Sequence, residues 1–277
     1  MSARAGQFSH DLRAVRVVWQ REMIRFTNDR LRILTSLIQP VLFLFVLGTG
    51  LSTITTGAVH GLNLRTFMYP GALSMAVLFT AMFSAASIVW DREFGFLREM
   101  LVAPISRWSI VVGKCLGGAT TASLQGVLIL ALAGVVGVPY SLTLVLTVFG
   151  ELLLLAFTLT AFGVMTAARI TQLQAFMALN QMLLMPLFFL SGALFPLSNL
   201  PAWLQVLTRI DPLTYAVDPV RRAVFAHLHV PAAVVHRLNP GVTWNGWRVP
   251  TWLELMIVTA MGLVMLGIAI LEFRKAD

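Results

Sequence analysis

Two blocks of this chain run without a charge for longer than a bilayer core is thick. Ile33 to Ile54 is 22 residues and Met68 to Trp90 is 23. At a rise of ~1.5 Å per residue, each crosses the roughly 30 Å of hydrocarbon as one helix. Lipid offers no partner to an open backbone amide, so a spanning segment closes its own hydrogen bonds. A membrane barrel would instead need ~10-residue strands of alternating polarity, and these blocks do not alternate. With 58% hydrophobic and only 12% charged residues, the chain has about half the charge of a typical soluble domain. The fold class expected is an all-α polytopic membrane protein.

Breakers divide the other apolar stretches. Pro139-Tyr140-Ser141 splits the uncharged run after Lys114 into one helix over about Ser109–Val136 and another over about Leu142–Ala167. Pro196 and Pro201 end a fifth span over about Leu173–Phe195, and a sixth covers about Trp252–Leu271. Six crossings place both termini on one side. That side, made of residues 1–32, 91–114, 168–172 and 272–277, holds 14 of the 20 Lys and Arg. Arg65, Arg209, Arg221, Arg222, Arg237 and Arg248 fall opposite. The positive-inside rule makes the richer side cytoplasmic. Basic residues grouped at membrane borders argue against nucleic acid as a partner and for the lipid bilayer. No cleavable signal peptide is expected, because 32 mostly polar and basic residues precede the first span. Cys115 is the single cysteine, which leaves no intrachain disulfide.

The expected organisation is an N-terminal segment, 1–32, followed by a transmembrane domain, 33–277. In the first, Leu12, Val15, Trp19, Met23 and Phe26 form one apolar stripe, with Arg13, Arg16, Arg21 and Arg25 away from its centre. An interfacial helix at the lipid headgroups has this pattern; so does a basic helix packed on a partner protein. In the loop 91–105, Phe94, Leu97 and Leu101 share a helical face between charged pairs, and Pro104 stops the helix. By pattern alone this is an amphipathic connector between two spans.

The residues of that loop also resemble a known family. Glu93-x-Gly95-x-Leu97-x-Glu99-x-Leu101-Val102-x-Pro104 is similar to the loop between spans two and three of type-2 ATP-binding-cassette (ABC) exporter permeases. A second block agrees in order and place: Ser191 to Pro196, Leu200-Pro201-x-Trp203-Leu204, Asp211-Pro212-Leu213-Thr214-Tyr215, and Asp218 to Arg221. The resemblance covers essentially the whole chain and points to the drug-resistance and nodulation-factor branch. Phe96 and Ala103 stand where the family often has a small hydroxyl residue, and Asp211 where it often has Asn.

The resemblance implies an ATPase-coupling helix carrying Glu93, Phe94, Gly95, Leu97, Arg98, Glu99, Leu101 and Pro104. It also implies re-entrant helices over 196–222, ahead of the outer loop 223–251. Pro196, Pro201, Trp203, Asp211, Pro212, Tyr215, Asp218 and Arg221 would form an outer gate there. The bland reading of that block is a loop with two prolines and a buried Trp203. Further implied are a separate ABC ATPase subunit bearing ATP and Mg, a second permease copy as homodimer or heterodimer, and residence in a bacterial inner membrane. The expected cargo is a hydrophobic or amphipathic drug, lipid or glycolipid.

The spans carry few polar groups. Glu151, Asn180 and Gln181 each admit a structural hydrogen bond between helices or a functional role. Gly113-x-x-x-Gly117 permits close helix approach, although so short a motif is common by chance. His10, His60, His227, His229 and His236 lie outside the spans, and His227-Leu-His229 does not share a helix face for a metal. There is no His-Glu-x-x-His motif and no phosphate-cradling loop, since Gly113-Lys114 lacks the upstream Gly and the hydroxyl. Neither a cofactor nor a catalytic group is therefore expected on this chain. Beside the exporter permease stand a membrane-embedded enzyme and an ion-coupled carrier, both of which would have to rely on Glu151.

Overall fold

A computed structural model describes residues 2–50, 64–102, 105–194, 197, 200–228, 241–244 and 246–275. Among them the chain is nearly all helical. α1 is Ser2–Asn28, α2 runs Arg30–Gly50, and α3 is Leu64–Ser84. α4 (Ala86–Glu93) continues the line of α3, and α5 (Phe96–Val102) follows a break at Gly95. α6 is Arg107–Leu130, α7 Leu142–Ala167 and α8 Leu173–Leu190. Two short helices, α9 (Ala202–Ile210) and α10 (Thr214–Ala226), precede a two-residue hairpin and the last long helix, α11 (Thr251–Lys275). In the hairpin, Thr243 pairs with Arg248 and Trp244 with Trp247.

Among the described residues, five helical stretches are long and apolar enough to cross a membrane: Arg30–Gly50, Leu64–Glu93, Leu142–Ala167, Leu173–Leu190 and Thr251–Lys275. The sequence led us to expect six. The sixth candidate, α6, has 24 residues, about 36 Å of helix. Arg107, Lys114 and a run of Gly, Ser and Thr keep its hydropathy below the others.

Helix boundaries follow local chemistry. Asp29 accepts a hydrogen bond from the Arg32 amide and starts α2. Ser141 does the same for the Leu144 amide at the start of α7. Such caps satisfy amides that the first turn leaves open. α3 is the most enclosed helix, packed by α6, α7, α2 and α8. Gly118 of α6 makes the close triple contact possible, because a Cβ there would sit 2.2 Å from the Ser84 hydroxyl and 2.5 Å from Thr160 of α7. The buried Tyr69 hydroxyl donates to the Ile129 and Leu130 carbonyls, closing the far end of α6 against α3.

α1 lies along α6, and its inward face differs from the stripe expected. Asp11, Val15, Val18 and Glu22 are buried, whereas Leu12 is half exposed. The seat is Gly113-x-x-x-Gly117. A Cβ at Gly113 would lie 2.7 Å from Val18 Cβ, and one at Gly117 would lie 2.6 Å from Glu22 Cβ. The motif therefore receives α1, and its spacing is structural.

Both ends of the chain reach the residues that open α6. Asp11 accepts from the Ser106 amide at 3.0 Å, and Arg107 donates to the Arg274 carbonyl at 3.1 Å. Residues 91–102 and 105–107 thus share one end of the bundle with α1 and the tail of α11, while α9, α10 and the hairpin form the other.

Candidate functional site

At the α1 end, four charges from three elements converge. Lys114 of α6, almost fully buried, donates to Glu22 of α1 at 2.6 Å, to Asp91 of α4 at 2.5 Å and to the Ser87 hydroxyl at 3.1 Å. Arg21 of α1 donates to the other Asp91 oxygen at 2.6 Å. Two cations and two anions cancel. A buried ion pair must be matched in this way, because removing either partner strands a desolvated charge. Arg21, still exposed along its stem, and Arg25 accordingly reach α4 instead of pointing away from the bundle. Arg25 stacks over Trp90 with its guanidinium carbon 5.5 Å from the ring centroid.

The next two residues clamp a neighbouring loop. Arg92 donates to the Ala167, Ala168 and Ile170 carbonyls at 3.2, 2.8 and 2.6 Å, at the end of α7. Glu93 accepts from the Leu173 amide, the first residue of α8, at 2.8 Å. Each charge has the sign that its helix end favours, cation at the C-terminus and anion at the N-terminus.

Beyond the clamp, Gly95 adopts φ +83°, a left-handed turn with open space where a Cβ would project. This turn removes Phe94 from the helix that carries Leu97, so the expected shared face does not form. Leu97 is buried in the core with Ile88, Val89 and Ile110. Phe94, Phe96 and Val102 are exposed instead, and Phe94 stacks on Trp90 at 4.8 Å between centroids. Glu99 is exposed as well. The side chains of Arg98 and Leu101, and the whole of Pro104, lie outside the described residues.

At the opposite end the expected gate residues separate into two sets. Pro201 caps α9, and Trp203 is 66% exposed, at odds with the buried Trp of the bland reading. Trp203, Val206, Leu207 and Ile210 form an exposed apolar stripe on α9. Asp211, Pro212, Tyr215, Asp218 and Arg221 are buried. Asp211 accepts from the Leu213 amide at 2.9 Å. Burial pushes the Asp211 carboxyl up to about 8, against the opposing hydrogen bonds from Leu213 and Thr214. Tyr215 donates to the Arg209 carbonyl and accepts from Trp244 Nε1. Arg221 donates to the Gly192 and Ala193 carbonyls and lies over Phe67, 4.8 Å from its centroid. Pro196 is outside the described residues.

Arg222 joins this group. It donates to Asp218, to Glu254 of α11 at 3.2 Å and to the Val249 carbonyl at 3.0 Å. Glu151 of α7 is buried within electrostatic reach of Arg222 and Asp218, so it is not the isolated acid its sequence context suggested. Asn180 is fully buried and donates to the Met82 carbonyl at 3.3 Å, whereas Gln181 is exposed.

Sequence reasoning missed both charge clusters. Lys114 was weighed as a border charge and in a failed phosphate-loop match, Arg222 as one of several charges fitting a packed re-entrant block, and Glu22 and Glu254 not at all. The available signals were Lys114 at the head of a long uncharged run and Glu254 in the first turn of a span. It missed, too, a cavity of about 540 Å³ inside the α1–α2 junction, bounded by α3, α4, α6 and α8.

The family model for ABC-2 type transporters matches residues 13–225, which include the charge cluster, the 91–102 segment and the outer block. The chain belongs to the ABC-2 type transporter family. It is a transmembrane subunit of an ABC transporter, a permease. Nodulation protein J of Rhizobium leguminosarum bv. viciae is 30% identical over 207 residues, covering 74% of this chain and 79% of that protein. The putative transport permease ycf38 of Cyanophora paradoxa is 30% identical over 210 residues, 74% and 72% of the two chains. The probable multidrug ABC transporter permease YbhR of Escherichia coli K12 is 31% identical over 160 residues, 57% of this permease but only 43% of YbhR.

Proposed function

We propose that this permease is the six-span membrane half of an exporter driven by a separate ABC ATPase subunit, with the segment 91–105 as its docking site. The observation that carries this is the contrast within the segment. Phe94, Phe96 and Val102 point outward, while Asp91, Arg92 and Glu93 are tied to α1, α6, α7 and α8. An exposed apolar tip on a rooted stem suits a groove on a partner, and burying each Phe is worth roughly 1.5–3 kcal/mol. The roots pass any push on the tip to four helices at once.

The basic asymmetry supports a cytoplasmic position for this end and both termini, with the spans in a bacterial inner membrane. α1 lies at the headgroups with exposed Val17 and Ile24 toward lipid and Arg16 toward phosphates. α9 dips its apolar stripe into the outer leaflet as a re-entrant helix. Two permeases and two ATPase subunits make the working unit, and ATP and Mg bind on the ATPase subunits. The cargo is a hydrophobic or amphipathic molecule moved outward, a reading supported by the likeness to a probable multidrug permease.

Co-expression of the permease with an ABC ATPase subunit from the same source tests the reading. A stable complex with ATP-dependent export into inverted vesicles is the expected result. A permease that binds no such subunit and transports without ATP would overturn it.

A further inference from the structure

The cavity inside the α1–α2 junction holds about 540 Å³, within the size range of small-molecule sites. Its walls are chemically unequal. On α2, Arg32, Thr35, Ser36 and Gln39 recur at helical spacing and line one side. On α3 and α4, Phe79, Phe83 and Trp90 line the other. A polar stripe inside a membrane-length helix is costly unless it faces water, protein or a polar ligand.

The charges at the cavity mouth do not all cancel locally. Glu22 is satisfied by Lys114. Asp29 accepts from the Arg32 amide as the cap of α2, an anion compensated by a helix N-terminus. Arg25 sits over Trp90. Arg32 lines the cavity, and among the described residues its guanidinium makes no ion pair or side-chain hydrogen bond, although Asp29 and Glu22 act on it from a distance. A guanidinium carries five donors in a planar fork suited to phosphate or carboxylate oxygens.

We infer that this cavity binds an anionic amphiphile, with Arg32 holding a phosphate or carboxylate headgroup and the aromatic wall taking its alkyl or aryl portion. Thr35, Ser36 and Gln39 supply neutral hydrogen bonds below the headgroup. A cationic amphiphile is disfavoured, because Lys114 already holds Glu22 and the first turn of α2 holds Asp29, which leaves Arg25 and Arg32 to meet it. The inference deepens the exporter reading by naming a cargo class, yet the binding itself needs no ATPase subunit.

The test uses the whole permease in phosphatidylcholine nanodiscs with radiolabelled dodecyl phosphate, and empty discs as background. Saturable binding above background is expected. Arg32→Gln should weaken it by about tenfold or more, the worth of one charge-assisted contact, and Arg32→Lys should restore most of the loss. Phe83→Ala keeps the charge and should weaken dodecyl phosphate more than butyl phosphate, which a merely structural role would not do. Dodecyltrimethylammonium should fail to compete. Equal competition by that cation, or affinity unchanged in both Arg32→Gln and Phe83→Ala, would refute the inference. Full displacement by equimolar inorganic phosphate would also refute it, because the cavity would then be a free-anion site. Failure of export with binding intact would strike the exporter reading and leave this one standing.

Discussion

Lys114 and Asp91, from different helices, meet at 2.5 Å with both side chains almost wholly shielded from solvent. The pair fixes the root of the docking segment to α6, and Glu22 and Arg21 extend it to α1. Removing one member strands charge. Lys114→Met is expected to cost about 3–5 kcal/mol, read as a large fall in thermal stability in detergent. Adding Glu22→Gln to Lys114→Met restores charge balance and should recover a substantial part of that loss. Additive losses in the double variant would show that the four groups do not act as one network.

The glycine seat of α1 makes a separate prediction. Gly117→Leu drives a side chain into Glu22, whose Cβ is already 2.6 Å from where a Cβ would stand. α1 should then lift from α6. A cysteine at Val18, on a Cys115→Ser background, is expected to react slowly with a polar maleimide and much faster once Gly117→Leu is added. Equal rates would mean that α1 is held elsewhere.

The double clamp should be visible in amide exchange. Arg92→Leu frees the three carbonyls that close α7, and Glu93→Gln weakens the cap on α8. Faster hydrogen exchange over residues 168–176 is expected from either change, with the rest of α7 unaffected. Unchanged protection there would contradict the capping role.

Much of the fold is legible in order, and the reasons are local. The span Leu142–Ala167 was bounded correctly by Pro139-Tyr140-Ser141, because a breaker and a capping hydroxyl act on their own neighbours. The first span, read from Ile33, starts as a helix at Arg30, where Asp29 caps it. What was illegible depends on partners far apart in the chain. Glu22 and Lys114 are separated by 92 positions and Arg21 and Asp91 by 70, so no spacing rule joins them. Leu97 was grouped with Phe94 by a helical period that the left-handed turn at Gly95 interrupts. The polar stripe of Arg32, Thr35, Ser36 and Gln39 was hidden because the block after residue 32 was read for absence of charge, and hydroxyls and amides do not register on that criterion. In Gly113-x-x-x-Gly117 the motif itself was visible, but its occupant was not.

The buried Asp211 gives the outer block a pH dependence. Its carboxyl is shifted from an ordinary 3.8 to about 8, so the folded state holds a proton that the unfolded state has released between those values. Stability from this group is full at low pH and declines as pH rises from about 4 to 8. Asp211→Asn keeps an oxygen for the Leu213 amide and carries no charge. The variant should flatten the decline and melt higher at pH 8, by roughly 2–4 °C for each kcal/mol regained. A steeper decline, or a lower melting point at pH 8, would show that the ionised carboxylate is the stabilising form.

The division of labour within residues 91–102 separates docking from packing. Leu97→Ala opens the core and should cost about 2–5 kcal/mol of permease stability. Phe94→Ala with Phe96→Ala removes exposed groups, so the permease should fold normally and lose its ATPase partner. The most direct measurement is photocrosslinking from a benzophenone amino acid placed at Phe96 in the assembled complex, with Trp203 at the opposite end as control. Crosslinking to the ATPase subunit from position 96 and none from position 203 is the expected result. No ATPase adduct from position 96 in a complex that hydrolyses ATP and exports would contradict the docking role of this segment.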